Sequence, residues 1–582
     1  MNTILKPRLP AILCVLTLLV CSIATYPVAE IGINDDWSYV KSAEVLARTG
    51  QVVYNGWATA MLGWQIYLGA LFAVIFGPSF TAIRASTLLI AMATVYLTHR
   101  TLIRAGVNSR NATIGTLLLG LSPVFMPLAL TFMSDIGGLF VIVLCAYSCL
   151  RALRAQTERS VLAWLAFAAL SNALGGTVRQ IAWLGALVMF PCAVWLLRSR
   201  PKVIFAGVLL YLVSGIFIYG SLHWFLQQPY SVPEPLVPGS FAGANVLHML
   251  GRFFRAFFSL AMFLLPILVA FIPAVSFRNR FNYALIAGGG LVCAIAGLLL
   301  HHHHKLESCL APFSVPGSYV SPRGLIDIMV IKGDRPVILN IEIRVVLTAV
   351  ILLALICLFT FLFTSRSRQI SIAGAETAIS WPDLLVLFVP FTFAYLAIIV
   401  PRAAFVTIYD RYLPPLIFVG ILLLLRLYQD KVGPKLSIVS NVLVLIFAAF
   451  AIAGTHDAFS LYRARLSAIN ELRAAGVPDT SIDGGFDFNG MTQIEDVGYV
   501  NDPRIRVPAT FRTILSPQFP KDCAPEWSWL TPVVVPGYAL SLDPAACGGL
   551  SHFPPVQFRD WLGDHSINIY IVNTVKPGSD QR

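Results

Sequence analysis

Long apolar runs separated by short polar segments dominate the chain up to about residue 454. Because a helix of roughly 20 apolar residues crosses the hydrocarbon core of a bilayer, this pattern predicts an all-α bundle of membrane-spanning helices. We expect about thirteen spans. Two of them share the run 161–197, and the others are 10–29, 81–98, 111–130, 136–150, 203–220, 254–275, 283–300, 345–363, 384–400, 413–425 and 437–454.

The apolar segment 57–76 is predicted to lie on the outer membrane surface rather than to span. Its interior carries Gln65 and two glycines, which suit an interfacial or re-entrant segment better than a lipid-facing helix. Lys6 and Arg8 place the N-terminus inside by the positive-inside rule, and a span at 57–76 would put every later basic cluster outside. The first run has no clear signal-peptide cleavage site, so we expect it to be retained.

Composition agrees with a membrane protein. The chain is 57% apolar and only 12% charged, with a mean hydropathy of +0.76, whereas a soluble domain carries about 25% charged residues. The net charge of +12 comes from short basic clusters between apolar runs. Such clusters orient spans in the membrane, so we expect the lipid bilayer and not a nucleic acid as partner.

Residues 455–582 differ from the bundle of residues 1–454: they are polar, rich in proline and glycine, and contain no spanning run. "YRARLSAINELRAAGVP" predicts a helix that stops near Gly476, and "TSIDGG" and "SINIYIVNTV" predict strands. The alternating orientation of the spans places this small α/β domain outside. Cys523 and Cys547 lie in it and would form a disulfide in an oxidising compartment, although spacing alone cannot fix a pairing.

The unusual charges of the bundle all fall on the outer side in this topology. Charged groups in a bilayer are costly, about 2.5–3.5 kcal/mol each at its centre, and are therefore functional candidates. They comprise the pair Asp35 and Asp36 in the first outer loop, Arg84 at the start of the second span, Asp135 and Arg179 at outer turns, and Asp410 and Arg411 heading the twelfth span.

Acids and arginines gathered at one membrane surface suit the transfer of a sugar from a lipid phosphate. The attacking hydroxyl needs a base to take its proton. The departing phosphate needs cations that stabilise its growing charge, and the arginine fork matches phosphate oxygens in two-point contact.

Four segments resemble motifs of the polytopic GT-C glycosyltransferases, especially the branch of protein O-mannosyltransferases and lipid A aminoarabinose transferases. In chain order they are "NDDWSYVKSAEVLARTGQ", "FGPSFTAIRASTLLIAM", "LTFMSDIGGLF" and "RYLPPLIF". The resemblance covers roughly residues 10–455. It implies an inverting enzyme that uses a polyprenyl-phosphate-linked sugar donor rather than a sugar nucleotide. Metal dependence differs between branches of the family, so the resemblance is compatible with a divalent metal without requiring one.

By position, the resemblance assigns a role to each charged residue. Asp35 would be the base, Asp36 would orient the acceptor or the base, and Asp135 would be a supporting acid. Phosphate or substrate binding would fall to Arg84, Arg179, Asp410, Arg411 and Tyr412. The first pair is Asp-Asp where the family usually has Asp-Glu, which leaves open which of the two is the base.

Ordinary structural roles compete with each of these assignments. Asp35, Asp36 or Asp135 could cap the helix that follows. Arg411 could be an interfacial anchor, and Arg84 and Arg179 could pair with buried acids. The run 301–304 consists of histidines, but adjacent histidines point in alternating directions, so we predict no metal site there.

The expected function is a glycosyltransferase of the cell membrane whose active site and C-terminal domain face outside, with a glycan, glycolipid or protein as acceptor. The alternative is a polytopic transporter or lipid flippase. Transporters usually place charges near the membrane midplane and show inverted repeats, whereas these charges lie at one rim and no repeat is visible. A non-enzymatic assembly or sensor protein is a third reading.

Overall fold

The computed structural model of the chain describes residues 8–233, 245–275, 279–302, 305–326, 331–364, 379–505, 511–520 and 522–574. Lys6, His303 and His304 lie outside these residues. Each of the thirteen predicted spans coincides with helical structure, and a small mixed sheet follows near the C-terminus. The predicted fold class, a helical membrane bundle with a C-terminal α/β region, is confirmed.

The α-helices have the following bounds: α1 Leu9–Ala24, α2 Asp36–Thr49, α3 Gly63–Phe76, α4 Phe80–Arg104, α5 Ser109–Gly120, α6 Phe125–Ala129, α7 Ser134–Leu153, α8 Glu158–Gly175, α9 Phe190–Leu196, α10 Pro201–Gln227, α11 Val246–Leu268, α12 Arg280–His302, α13 Ile341–Thr364, α14 Trp381–Arg402, α15 Pro414–Lys431, α16 Ile438–Ala474 and α17 Phe486–Val497. Short 3-10 and π turns connect α8 to α9.

Within the described ranges, nine helices are long and apolar enough to cross a membrane: α4, α7, α8, α10, α11, α12, α13, α14 and α16. The other four predicted spans are shorter or interrupted. Helix α1 has 16 residues and α5 has 12, α9 follows the irregular turns, and α15 carries three charged residues in its last two turns. The chain is a multi-pass membrane protein.

Helix α3 occupies the segment that was predicted to be interfacial. It has 14 residues, about 21 Å of helix, which is less than the roughly 30 Å of a hydrocarbon core. The polar and small residues in its interior pack against the loop before α7: Gln65 Nε2 donates to the carbonyl of Phe132 over 3.2 Å, and a Cβ on Gly69 would lie 2.5 Å from the Phe132 ring. These residues therefore permit a close contact with that loop.

Helix α16 is continuous from the membrane bundle into the C-terminal region. Its 37 residues extend about 55 Å, more than a bilayer core requires. The predicted boundary between residues 454 and 455 lies inside this helix, and the separate helix expected over 462–478 is its second half. The helix ends before Gly476, which adopts a φ of 82°.

The C-terminal region contains a four-stranded sheet in the order β3-β4-β6-β5. Its strands are β3 (Ile482–Asp483), β4 (Tyr538–Ser541), β5 (Val556–Arg559) and β6 (Ser566–Asn573), and only the β3/β4 pair is parallel. The predicted strands correspond to β3 and β6. A disulfide joins Cys523 and Cys547. Two further short strands, β1 (Val320–Ser321) and β2 (Gly324–Leu325), pair in the connection between α12 and α13.

The two ends of the bundle carry different charges. Helix α7 begins with Asp135 in its first turn and ends with Arg151 in its last. Arg151, Arg104, Arg154 and Arg426 interact electrostatically at that second end, and we refer to these four residues as the basic cluster. The acidic residues singled out from the sequence lie at the opposite end, beside the C-terminal region.

Candidate active site

A cavity of about 460 Å³ opens at the end of the bundle that faces the C-terminal region. Five of the eight predicted site residues line it, together with aromatic residues from both parts of the chain. These lining residues are Asp35, Asp135, Arg179, Arg411, Tyr412, Tyr39, Trp57, Tyr395, Phe486 and Trp527. The cavity thus brings together groups separated by several hundred residues of sequence.

Asp35 stands at the N-cap position of α2, but its side chain does not cap that helix. Its Oδ2 instead accepts a hydrogen bond of 2.9 Å from Arg411 Nη1, and its Oδ1 accepts one of 3.1 Å from Trp57 Nε1. The preceding Asn34 has a φ of 59°, in the left-handed region that Asn tolerates better than most residues. Helix capping therefore does not account for Asp35.

Asp36, the next residue, has a different environment. It is fully buried and accepts hydrogen bonds from Arg84 Nε at 2.7 Å and from the backbone N–H of Ile33 at 2.7 Å. Arg84 Nη2 and the backbone N–H of Phe132 donate two more. Arg84 also donates to the carbonyls of Ala29 and Ile31. Neither side chain lines the cavity, and both hold the loop that presents Asp35.

Asp135 forms the second acid of the cavity. Arg179 Nη1 donates to its Oδ1, and its Oδ2 is buried with no hydrogen-bond partner among the described residues. Asp135 lies in the first turn of α7 without acting as its cap, since the N-cap residue is Met133. Arg179 adopts an extended conformation between two 3-10 turns. This extended backbone directs the Arg179 guanidinium toward Asp135 at the start of α7.

Tyr412 connects the two arginines. The Arg179 guanidinium lies 4.8 Å from the centre of its ring, and that of Arg411 lies 5.6 Å from it. Cation–π contacts of this kind strengthen when they are shielded from water. The Tyr395 hydroxyl donates to the Tyr412 carbonyl over 2.8 Å and fixes the turn. The cavity therefore contains two Asp–Arg pairs joined through one aromatic ring.

Asp410 is the third predicted residue that does not line this cavity. Its two oxygens accept hydrogen bonds of 2.8 Å from the backbone N–H groups of Tyr319 and Val320. Burial raises the pKa of Asp410 to about 6, against the lowering effect of these N–H groups. The residue anchors the turn that carries Arg411 to the connection between α12 and α13.

The arginine of this turn remains a cation despite its burial. Burial alone would lower the pKa of Arg411, but Asp35, Tyr412, Asp135 and Tyr319 together outweigh that effect and raise the pKa well above its ordinary value. An anionic ligand can replace the carboxylate as the partner of such a guanidinium, because both present oxygen pairs to the same fork. Binding of a phosphate would then release Asp35 to accept a proton.

The Asp35 and Asp135 carboxylates of the cavity do not fit a divalent metal ion well. Each already contacts an arginine, whose positive charge occupies the place that a metal would take. Across the described residues, no group of three or more His, Cys, Asp or Glu side chains is arranged to hold a metal. We therefore assign no step to a metal.

Sequence reasoning missed the aromatic lining of the cavity. Trp57, Phe486 and Trp527 carry no charge and lie far apart in the chain, so no local pattern marks them. Trp57 lies in the polar-to-apolar transition before α3, where an isolated tryptophan resembles an ordinary interfacial anchor. Phe486 and Trp527 belong to the C-terminal region, for which the sequence predicted a location outside the membrane but no residues that contact the bundle.

No protein-family model and no curated protein sequence matches the chain. Several solved structures do. The S. cerevisiae protein O-mannosyltransferase Pmt1-Pmt2 complex, solved with its sugar donor, shares 15% identity over 37% of this chain and 33% of its own, with a TM-score of 0.30. The chain thus spans about a third of that protein's length.

Two microbial structures match over more of the chain. ArnT from Cupriavidus metallidurans in the apo state shares 13% identity over 97% of this chain and 98% of its own, with a TM-score of 0.38. The oligosaccharyltransferase AglB from Archaeoglobus fulgidus, solved with an inhibitory peptide and a dolichol-phosphate, shares 13% identity over 80% and 58% of the two chains, with a TM-score of 0.36. The chain resembles these membrane proteins, but at such TM-scores nothing about activity or substrate transfers to it.

Proposed function

We propose that this chain is a membrane glycosyltransferase that moves a sugar from a polyprenyl-phosphate carrier to a hydroxyl of an acceptor on the outer face of the membrane. The observation that carries the proposal is the shared cavity. Asp35, Asp135, Arg179 and Arg411 come from four distant segments, yet they line one space as two Asp–Arg pairs.

The reaction follows from these pairs. The donor phosphate replaces Asp35 as the partner of Arg411, and the freed carboxylate accepts the proton of the acceptor hydroxyl. The bond from the anomeric carbon to the phosphate oxygen breaks, its electron pair stays on the phosphate, and the acceptor oxygen bonds to that carbon from the opposite side. Arg411 and Arg179 stabilise the charge that grows on the phosphate.

Exposure to the cavity favours Asp35 over Asp36 as the base. Asp35 lines the cavity and pairs there with Arg411, a partner that an anion can exchange, whereas Asp36 is fully buried and hydrogen-bonded to Arg84 and to backbone N–H groups. The role proposed for Asp36 and Arg84 is to hold the loop that orients Asp35. Asp410 has the corresponding role for Arg411, through its bonds to Tyr319 and Val320.

An apolar groove of about 500 Å³ next to the cavity supports a lipid-linked donor. Met61 and Thr177 line the groove. Ala60, one residue before Met61, and Arg179, two residues after Thr177, line the cavity. Its outer wall includes Tyr67 and Trp224, which expose 59% and 44% of their surface where α3 and α10 would face lipid. A polyprenyl chain in this groove would leave its phosphate at the arginines.

Two features support placing the cavity outside the cell. The basic cluster lies at the opposite end of the bundle, and basic residues mark the cytoplasmic side of membrane proteins. The C-terminal region beside the cavity contains the Cys523–Cys547 disulfide, and disulfides persist in oxidising compartments. We therefore propose the outer face of the cell membrane as the site of reaction.

The proposal is tested by release of the lipid carrier. Purified protein receives labelled undecaprenyl-phosphate hexoses or pentoses, with or without a detergent extract of cell envelopes as the source of acceptor. Free undecaprenyl phosphate and a labelled acceptor should both appear only when the extract is present. Transport of the sugar lipid across vesicles without release would favour a flippase and contradict the proposal.

A matched pair of double variants links the release to the cavity. Asp35→Asn with Arg411→Gln removes one Asp–Arg pair of the cavity, and release should fall to background. Asp564→Asn with Arg559→Gln removes an Asp–Arg pair of which both side chains are more than 70% exposed and neither lines the cavity. This second variant should release carrier at the wild-type rate.

A further inference from the structure

Asp35 has two partners of different kinds within the cavity. Arg411 is a cation that a phosphate can attract away, whereas Trp57 is neutral and its indole N–H is only a donor. Once phosphate occupies Arg411, Trp57 is the partner that continues to orient the Asp35 carboxylate. The N–H cannot accept the proton that the base removes, so it does not compete for it.

The Trp57 ring is held by three other aromatic rings. Its centre lies 5.8 Å from that of Trp37, 5.0 Å from Phe486 and 6.2 Å from Trp527. Phe486 and Trp527 also contact each other at 4.6 Å. We refer to these four residues as the aromatic cluster. Trp37 and Trp57 belong to the N-terminal part of the bundle, and Phe486 and Trp527 belong to the C-terminal region.

The C-terminal half of the aromatic cluster is firmly anchored. Asp487, which follows Phe486, forms a fully buried pair with Arg465 of α16, with N···O distances of 2.6 and 3.2 Å. Helix α17 also lies directly on the bundle, since a Cβ on Gly490 would lie 2.7 Å from Trp37 Cζ2. Trp527 lies four residues after Cys523, which the disulfide ties to Cys547.

We infer that Trp57 is a positioning residue for Asp35 and that the C-terminal region, through Phe486 and Trp527, sets the orientation of Trp57. This inference rests on the proposed function, because it takes Asp35 as the base. It gives the C-terminal region a part in the reaction rather than only in covering the cavity. The side chain of Trp57 acts through Asp35 and bonds to no reacting atom.

The direct test is Trp57→Phe, which keeps an aromatic ring and removes the N–H donor. We expect kcat to fall about 10- to 100-fold, the usual range for loss of a hydrogen bond to a charged group, with the donor KM changed less than about 2-fold. The acid limb of the pH–rate profile should move to higher pH, because a bond that favoured the charged carboxylate is lost. A merely structural role would leave that limb in place.

Two variants of one loop test the contribution of the C-terminal region. Trp527→Ala should lower kcat about 5- to 20-fold and shift the acid limb in the same direction, while Trp527→Phe should restore most of the rate by refilling the contact with Trp57. Trp529→Ala is the matched control. Trp529 is 45% exposed, lies two residues away and does not line the cavity, so its loss should change neither quantity.

The outcomes separate this inference from the proposed function. Wild-type protein that releases no lipid phosphate overturns both. Active wild type with an inactive Asp35→Asn, but with Trp57→Phe at the wild-type rate and pH profile, overturns the inference alone. Replacing Trp57 with 3-benzothienylalanine, in which sulfur takes the place of the N–H group, keeps the ring shape. It should reproduce Trp57→Phe, and wild-type behaviour of this variant would also contradict the inference.

Discussion

Two neighbouring acids, Asp35 and Asp36, form ion pairs of the same chemical type in opposite surroundings. Asp35 and Arg411 expose 13% and 12% of their side chains, whereas Asp36 and Arg84 expose 0% and 3%. The buried pair also satisfies its oxygens with backbone N–H groups. The cavity pair instead has a neutral indole as its additional partner.

This difference separates a structural ion pair from an exchangeable one. A buried pair cannot lose one partner without leaving an uncompensated charge, so it fixes the fold of its loop. A pair at a cavity wall can exchange its carboxylate for a ligand anion, because water and ligand reach it. In the proposed reaction, position relative to the cavity rather than residue type therefore distinguishes the role of Asp35 from that of Asp36.

The largest expected effect is on the rate of the Asp35→Asn variant. Loss of a general base should lower kcat about 10²- to 10⁴-fold, measured by release of undecaprenyl phosphate. Because Asn keeps the size of the side chain, the thermal unfolding profile in detergent should stay close to that of wild type. A wild-type rate would show that Asp35 is not the base, and the proposed difference in role between Asp35 and Asp36 would then be wrong.

Asp36→Asn should affect stability instead. It leaves the buried Arg84 without its counter-charge, which typically costs about 3–5 kcal/mol. The apparent free energy of unfolding in detergent should fall by that amount, and activity should fall only with the folded fraction. A stable Asp36→Asn protein with no transferase activity would instead place Asp36 in the reaction.

The sequence predicted the helical part of the molecule well, and it singled out five of the residues that line the candidate cavity. Span-length apolar runs located all nine helices that are long and apolar enough to cross a membrane among the described residues, because bilayer thickness imposes a length that composition reveals. Positive-inside reasoning then placed Asp35, Asp135 and Arg411 on one side, and they share a cavity. It could not tell Asp35 from Asp36, because the direction of each side chain depends on contacts with Arg84 and Arg411 that are distant in sequence.

The aromatic contribution of the C-terminal region was beyond sequence reasoning for a related reason. Charged residues in apolar surroundings are conspicuous because of their energetic cost, but Trp and Phe are ordinary there. The continuity of α16 was also missed, since its polar second half resembles the start of a separate domain when hydropathy alone is considered. Both features depend on how distant segments pack.

Arg411→Lys tests what the cation contributes to the Asp35–Arg411 pair of the cavity. Lysine keeps the charge but loses the planar fork that matches phosphate oxygens. We expect kcat to fall about 10²-fold, as for loss of one donor to a developing oxyanion, with stability nearly unchanged. Steady-state kinetics would measure this, with the exposed Arg559→Lys as control. An unchanged rate would show that Arg411 acts only as the partner of Asp35.

Arg179→Lys should give the smallest effect, about 10-fold in kcat. Arg179 lines the cavity but contacts Asp135 and the face of Tyr412 rather than Asp35, so it is one step further from the proposed base than Arg411 is. A lysine would keep a charge beside Asp135 but would lose the flat stacking on the tyrosine ring. If kinetics instead showed Arg179→Lys to be more damaging than Arg411→Lys, the phosphate would lie at the Asp135 pair. Asp135 would then be the carboxylate that the phosphate displaces, and Asp135 rather than Asp35 would be the acid to compare with Asp36.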